Sequence, residues 1–196
     1  MPLIDREDSL VLVIDAQENF YGTSPFDEPV GVDFEKFESF LDCAAWVVSV
    51  AAALSIPILA TEEDAARCGP TAARIAKEWP PSTPVFDKRV FGAAADGPIR
   101  DAVLNSGCGT VVLVGLETDV CVSHSAIGFM DLGKRVVIVE DALYTRGVGH
   151  GAGLRRMQGA GAVILTARQL WYEWARTLAT AIEYSERLPA APGFHL

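Results

Sequence analysis

Apolar and polar positions along the chain fall into short aliphatic runs separated by longer stretches of helical periodicity. The runs predict strands at Ser9–Asp15, Pro57–Thr61, Thr83–Asp87, Thr110–Gly115, Arg135–Glu140 and Ala162–Thr166. Between them the pattern predicts helices near Asp33–Leu54, Pro70–Glu78, Gly97–Ser106, Asp119–Leu132 and Gly149–Gly159, with a last helix from about Ala167 to Glu186. The strand runs are apolar almost throughout, as strands covered on both faces should be. Strands alternating with helices read as an α/β fold around a mainly parallel sheet. Gly107, Gly133 and Gly161 each follow a helical pattern, where a C-terminal glycine cap belongs.

Composition narrows the function classes. The 196 residues suit one domain, residues 1–196, with a substantial core. A net charge of −10 with no cluster of Lys and Arg argues against nucleic-acid binding. No apolar run reaches the roughly 18 residues a membrane span needs. The opening MPLIDREDS carries acids and no secretory apolar segment, so a cytoplasmic protein is expected. Cys43, Cys68, Cys108 and Cys121 are widely spaced with no CxxC pair, which suggests neither a disulfide framework nor a zinc knuckle. Gly22–Val32, with two prolines and two glycines after the first strand, has the makings of a lid.

In open parallel sheets, sites form outside the carboxyl ends of the strands. Three residues stand there. Asp15 ends the first strand in VLVIDAQENF, Lys88 follows the third in VFDKRVFGAA, and Cys121 lies in the loop after the fourth, in GLETDVCVSHSA. Taken singly, each has an ordinary explanation: a loop-capping carboxylate, a solvated lysine, a small core thiol. Together they make a chemical set. A helix N-terminus and a nearby cation lower a cysteine pKa. A carboxylate can take the thiol proton and return it to a leaving amine. Backbone N–H groups of the Glu117–Cys121 turn would serve as an oxyanion hole.

These segments carry a resemblance. LVLVIDAQENF, PILATEE, KRVFGAA, VVLVGLETDVCVSHSAIGFMDLGKRVVIVEDA and GAGAVILTARQLWYEWAR, in that order, resemble the isochorismatase-like cysteine hydrolases over nearly the whole chain. The resemblance implies a three-layer Rossmann-like fold with a six-stranded sheet in the order 3-2-1-4-5-6. It implies Asp15 as acid/base, Lys88 as supporting cation and Cys121 as nucleophile. It also implies a cis Leu116–Glu117 peptide that turns the Glu117 N–H toward the oxyanion beside that of Cys121, and a homo-oligomeric assembly. Nicotinamidases of this family carry a metal site with an Asp-x-His pair. His124, His150 and His195 all lie after Cys121, so no metal and no cofactor is expected. True isochorismatases tend to lack the nucleophilic cysteine.

The expected activity is therefore hydrolysis of a C–N, amide-type bond of a small molecule through a thioester. Vinyl ether hydrolysis, a thiol redox or sensor role, and a non-catalytic oligomeric module are the alternatives. Gln17, Phe20 and Phe91 flank the catalytic positions and are candidates for the pocket wall, with ordinary packing as the alternative. Glu62 and His124 are weaker candidates to face the site. GVGHGA, Gly147–Ala152, matches the letters of a dinucleotide fingerprint, but EDALYTR separates it from the preceding strand, and NAD binding is rejected.

Overall fold

A computed structural model describes residues 2–21 and 31–193. Six strands, β1 (Ser9–Ile14), β2 (Ile58–Glu63), β3 (Val85–Lys88), β4 (Thr110–Leu116), β5 (Arg135–Tyr144) and β6 (Val163–Leu165), form one sheet in the order 3-2-1-4-5-6. Every pairing is parallel. The strand order reverses between β1 and β4, so the carboxyl ends of the central strands open a crevice there. The Gly22–Val32 segment expected as a lid lies, except for its last two residues, outside the described residues.

The helices are α1 (Phe34–Ala53), α2 (Ala65–Cys68), α3 (Ala73–Ala76), α4 (Gly97–Asn105), α5 (Ser123–Asp131), α6 (Gly149–Ala160), α7 (Ala167–Ala175) and α8 (Leu178–Ser185). Local signals set their ends. The Asp33 carboxylate accepts from Lys36 N at the start of α1, at 3.2 Å. Asp96 caps α4, which has proline in its first turn. Gly107, Gly133 and Gly161 take positive φ, of 79°, 81° and 112°. The last predicted helix is in fact two. Arg176 turns left-handed at φ 63°, and Thr177 starts α8 by accepting from Thr180 N.

Alternation along the central strands divides the core. Val11 and Val13 face a layer containing Trp46 of α1 and Trp171 and Trp174 of α7. Leu10, Leu12 and Ile14 face the layer that holds Phe129 of α5, Met157 of α6 and Cys121. All residues of β1 and β4 are buried, as their unbroken apolar runs require. β3 is an edge strand with Val85 to Asp87 partly or fully exposed, yet its last residue, Lys88, is fully buried. Among the described residues no helix is long and apolar enough to cross a membrane.

Candidate active site

The site begins where β1 ends. Asp15 leaves the strand with φ 44°, a conformation rare outside glycine. Thr61 of β2 fixes it twice. Asp15 N donates to the Thr61 carbonyl at 3.0 Å, and the Thr61 hydroxyl donates to Asp15 Oδ1 at 2.7 Å. The other oxygen, Oδ2, lies 2.7 Å from Lys88 Nζ, and both side chains are shut away from solvent. A lysine at the end of an exposed edge strand would ordinarily point into water. Here the ammonium turns inward, donating to the Val90 carbonyl at 2.9 Å and lying 3.7 Å from Cys121 Sγ.

Cys121 is set by the turn after β4. A bulge between Leu113 and Gly115 shifts the β4–β5 register. Gly115 takes φ 125°, and a Cβ there would fall 1.9 Å from the Ile14 carbonyl oxygen. Only glycine lets β4 pass this close to β1 at the sheet's reversal point. A π-helical turn, Thr118–Val122, follows and leads into α5. Such turns are rare and frequently occur at functional sites. Gly153 of α6 packs on the turn so closely that a Cβ would lie 2.9 Å from both Asp119 Cα and the Thr118 carbonyl oxygen.

The expected cis Leu116–Glu117 peptide is not found, because no described peptide bond is cis. The chain changes direction instead through Gly115 and the π turn, and keeps the trans form that non-proline bonds ordinarily adopt. The Glu117 carbonyl accepts from Val120 N at 3.1 Å and Val122 N at 3.2 Å. The Glu117 side chain accepts from the Tyr21 hydroxyl.

The electrostatics correct a second expectation. Burial pushes the Cys121 thiol well above its ordinary range, the Asp15 carboxylate pushes the same way, and Lys88 only partly opposes them. The cation alone does not lower the thiol here, because burial and the carboxylate of the same cluster act against it. Burial also raises Asp15 against the pull of Lys88 and the Thr61 hydroxyl, which makes it a better proton acceptor. Burial works to lower Lys88, but the charge and hydrogen bond of Asp15, joined by Cys121 and Glu63, together raise it.

One member of the cluster was missed in the sequence. Glu63 Oε2 accepts from Cys121 Sγ at 3.2 Å and lies 3.6 Å from Lys88 Nζ. The neighbouring candidate, Glu62, turns elsewhere: its carboxylate accepts from Thr71 N at 2.7 Å and the Thr71 hydroxyl at 3.0 Å. Side chains alternate across a strand, so Glu63 shares the face of Thr61 and Glu62 does not. Asp15, Glu63 and Cys121 offer three ligand-type atoms within 4.8 Å of one another. The Lys88 ammonium stands 2.7, 3.6 and 3.7 Å from these atoms, so the place for a cation among them is already taken.

The flanking residues separate. Gln17 is fully buried. Its amide donates to the carbonyls of Glu63 at 3.2 Å and Gly69 at 2.6 Å, and accepts from Glu63 N at 2.8 Å. It holds the backbone of Glu63 in place. Phe20 packs at the edge of the α1-side core. Phe91 is half exposed and meets the His124 ring edge-on at 6.1 Å. His124 is exposed, and lines an open groove of about 560 Å³ with Gly92, Arg100 and Leu132. His150, from the GVGHGA stretch, bonds the Thr118 hydroxyl at 2.9 Å. It also lines a cavity of about 320 Å³ beyond β5, with Glu140 and Tyr144. Neither concavity is lined by Asp15, Lys88 or Cys121.

An isochorismatase domain model matches residues 9–169. The chain belongs to the isochorismatase family of hydrolases. It is an isochorismatase-like superfamily member. The secreted isochorismatase effector Isc1 of Phytophthora sojae is 29% identical over 175 residues, covering 85% of this chain and 77% of the effector. Among solved structures, YcaC from Pseudomonas aeruginosa, determined with hexane-2,5-diol and covalent acrylamide, superposes with a TM-score of 0.81 at 23% identity, covering 96% of this chain and 93% of that one. YcaC from Escherichia coli, described as an octameric hydrolase of unknown specificity, gives 0.79 at 21% identity over 94% of this chain and 90% of its own. The isochorismatase-like fold thus spans β1 to α8, and the buried trio lies at the carboxyl ends of β1, β3 and β4.

Proposed function

We propose that this isochorismatase-family hydrolase cleaves a C–N, amide-type bond of a small molecule through a thioester on Cys121. The observation that carries the reading is the buried ammonium of Lys88, 2.7 Å from Asp15 and 3.7 Å from the Cys121 sulfur. Asp15 takes the thiol proton as the sulfur attacks the carbonyl carbon, and the charge passes to the carbonyl oxygen. The backbone N–H of Cys121 is the proposed oxyanion donor, since the cis peptide that was to aim the Glu117 N–H is not found. Collapse of the tetrahedral adduct breaks the C–N bond, and Asp15 returns its proton to the departing amine. Water, deprotonated by Asp15, then attacks the thioester and releases the acid and the thiol. Lys88 stabilises the negative charge that moves between Asp15 and Cys121.

The upward push of burial on the thiol suits this cycle, since a proton kept until attack is the one the leaving amine needs. The covalent acrylamide of the P. aeruginosa neighbour supports acrylamide as a first probe of Cys121. The test is a screen of small primary and secondary amides for amine release, with Cys121→Ala and Asp15→Asn as controls. Turnover that vanishes in both supports the reading, and turnover that persists in Cys121→Ala sinks it. We further propose a single cytoplasmic domain that assembles with copies of itself. The octameric E. coli neighbour and the exposed apolar Tyr172, Leu178 and Ile182 of α7 and α8 support the assembly. Light scattering that reports a monomer would refute it.

A further inference from the structure

We infer that Glu63 makes this site charge-selective, admitting neutral or cationic small molecules with an N–H donor beside the scissile group and turning away anions. The inference names a substrate class and so rests on the amide-hydrolase reading above.

Three observations carry it. Glu63 is the exposed member of the charged cluster: its side chain is 26% accessible, against 1% for Asp15 and 0% for Lys88. A group approaching the sulfur therefore meets the Glu63 carboxylate, which is 3.2 Å from it. Second, the carboxylate is built in. Gln17 bonds both the N–H and the carbonyl of Glu63, and Glu63 pairs in register with Lys88 across β2 and β3. Third, the charges do not cancel. Two carboxylates surround one ammonium, and the nearby Arg89 is committed to Asp64 at 2.6 Å and Asp87 at 3.3 Å. The cluster is one unit negative, and it stays so when the thiol proton passes to Asp15, because that transfer moves a charge without removing one. An anionic substrate adds a third negative charge in a largely desolvated place, where like charges cost most.

An N–H donor or cation has the opposite effect. It takes Glu63 Oε2 from the thiol, offsets the excess charge, and leaves the sulfur's proton free to pass to Asp15. Recognition and activation of the nucleophile then occur in the same contact.

The test separates this inference from the hydrolase reading by measuring Cys121 alone. Rates of disulfide formation at Cys121 would be followed by peptide mass spectrometry with 2-aminoethyl, methyl and 2-sulfonatoethyl methanethiosulfonate, which are cationic, neutral and anionic. Each rate is normalised to that of free cysteine. Wild type should favour the cation over the anion. Glu63→Gln, which keeps the size of the side chain, should lower that ratio by roughly 25-fold, about fivefold lost by the cation and about fivefold gained by the anion, for a unit charge about 4 Å away under water-like screening. Glu186→Gln, which makes the same change in net charge at an exposed position past α8, should leave it unchanged. A ratio unmoved in Glu63→Gln overturns the inference.

A matched set of cationic, neutral and anionic amides provides the second arm. If they are hydrolysed with a charge preference that Glu63→Gln does not alter, the inference fails and the hydrolase reading stands. If no amide shows Cys121-dependent turnover while the labelling ratio still falls in Glu63→Gln, the amide reading fails and the charge selectivity stands.

Discussion

Replacing Lys88 with methionine should cost more stability than any surface substitution and should do so in a pH-dependent way. The ammonium is fully buried against a carboxylate 2.7 Å away that is itself 1% exposed. Removing one partner of such a pair strands the other charge, a loss of about 3–5 kcal/mol. For a chain of this size that corresponds to a fall in Tm of roughly 6–20 °C. Asp15 can escape part of the penalty by protonating, because burial already raises it and only Lys88 and its hydrogen bonds pull it back. The sign then follows. A carboxyl whose folded pKa exceeds its unfolded value of about 3.9 adds stability at low pH, and that stability is lost as pH rises through the folded pKa. The deficit of Lys88→Met should thus be larger near pH 8.5 than near pH 5.5, both being about a unit or more clear of the unfolded carboxyl. Adding Asp15→Leu removes both charges and should recover most of the loss. Urea unfolding of wild type, single and double variants at the two pH values measures all of this. A single-variant loss under about 1 kcal/mol, or a double variant no better than the single, would refute the buried ion pair as described.

Three further outcomes are expected. Asp15→Asn keeps the shape of the side chain but cannot accept the thiol proton, so amide turnover should fall by roughly 10²–10⁴-fold, read as kcat/KM. Gly115→Ala combines about 1–3 kcal/mol of backbone strain at positive φ with about 1–3 kcal/mol of overpacking against the Ile14 carbonyl, and denaturant unfolding should show a loss in that combined range. Because burial and Asp15 raise the thiol, alkylation of Cys121 by iodoacetamide in the free protein should climb with pH and show no plateau below about 8.5; a plateau near neutrality would mean a resting thiolate.

Much of the scaffold was legible because its signals are local. Buried parallel strands are short apolar runs, and β1 and β4 are apolar after their first residues, Ser9 and Thr110, so both are legible to within about a residue. Asp15, Lys88 and Cys121 could be grouped because each lies at the carboxyl end of a strand or just after one. Glu63 could not be chosen over Glu62 with the same ease. Which glutamate faces the nucleophile depends on a one-residue register, and the fixed point, Thr61 bonded to Asp15, appears only in three dimensions. The break between α7 and α8 carries neither glycine nor proline, so periodicity ran through it. Thr177 and Thr180 were the readable sign of a new helix start. A depressed thiol pKa was expected from a cation and a helix start, whereas burial first and the Asp15 carboxylate second push the thiol up against Lys88.

The central claim is that Cys121 carries the acyl group. Rapid-quench mass spectrometry of wild-type protein mixed with a turned-over amide tests it most directly. An acyl mass on the peptide containing Cys121, rising and decaying on the timescale of turnover and absent in Cys121→Ala, is the expected result. Turnover without that adduct, at an unchanged rate in Cys121→Ala, would contradict it.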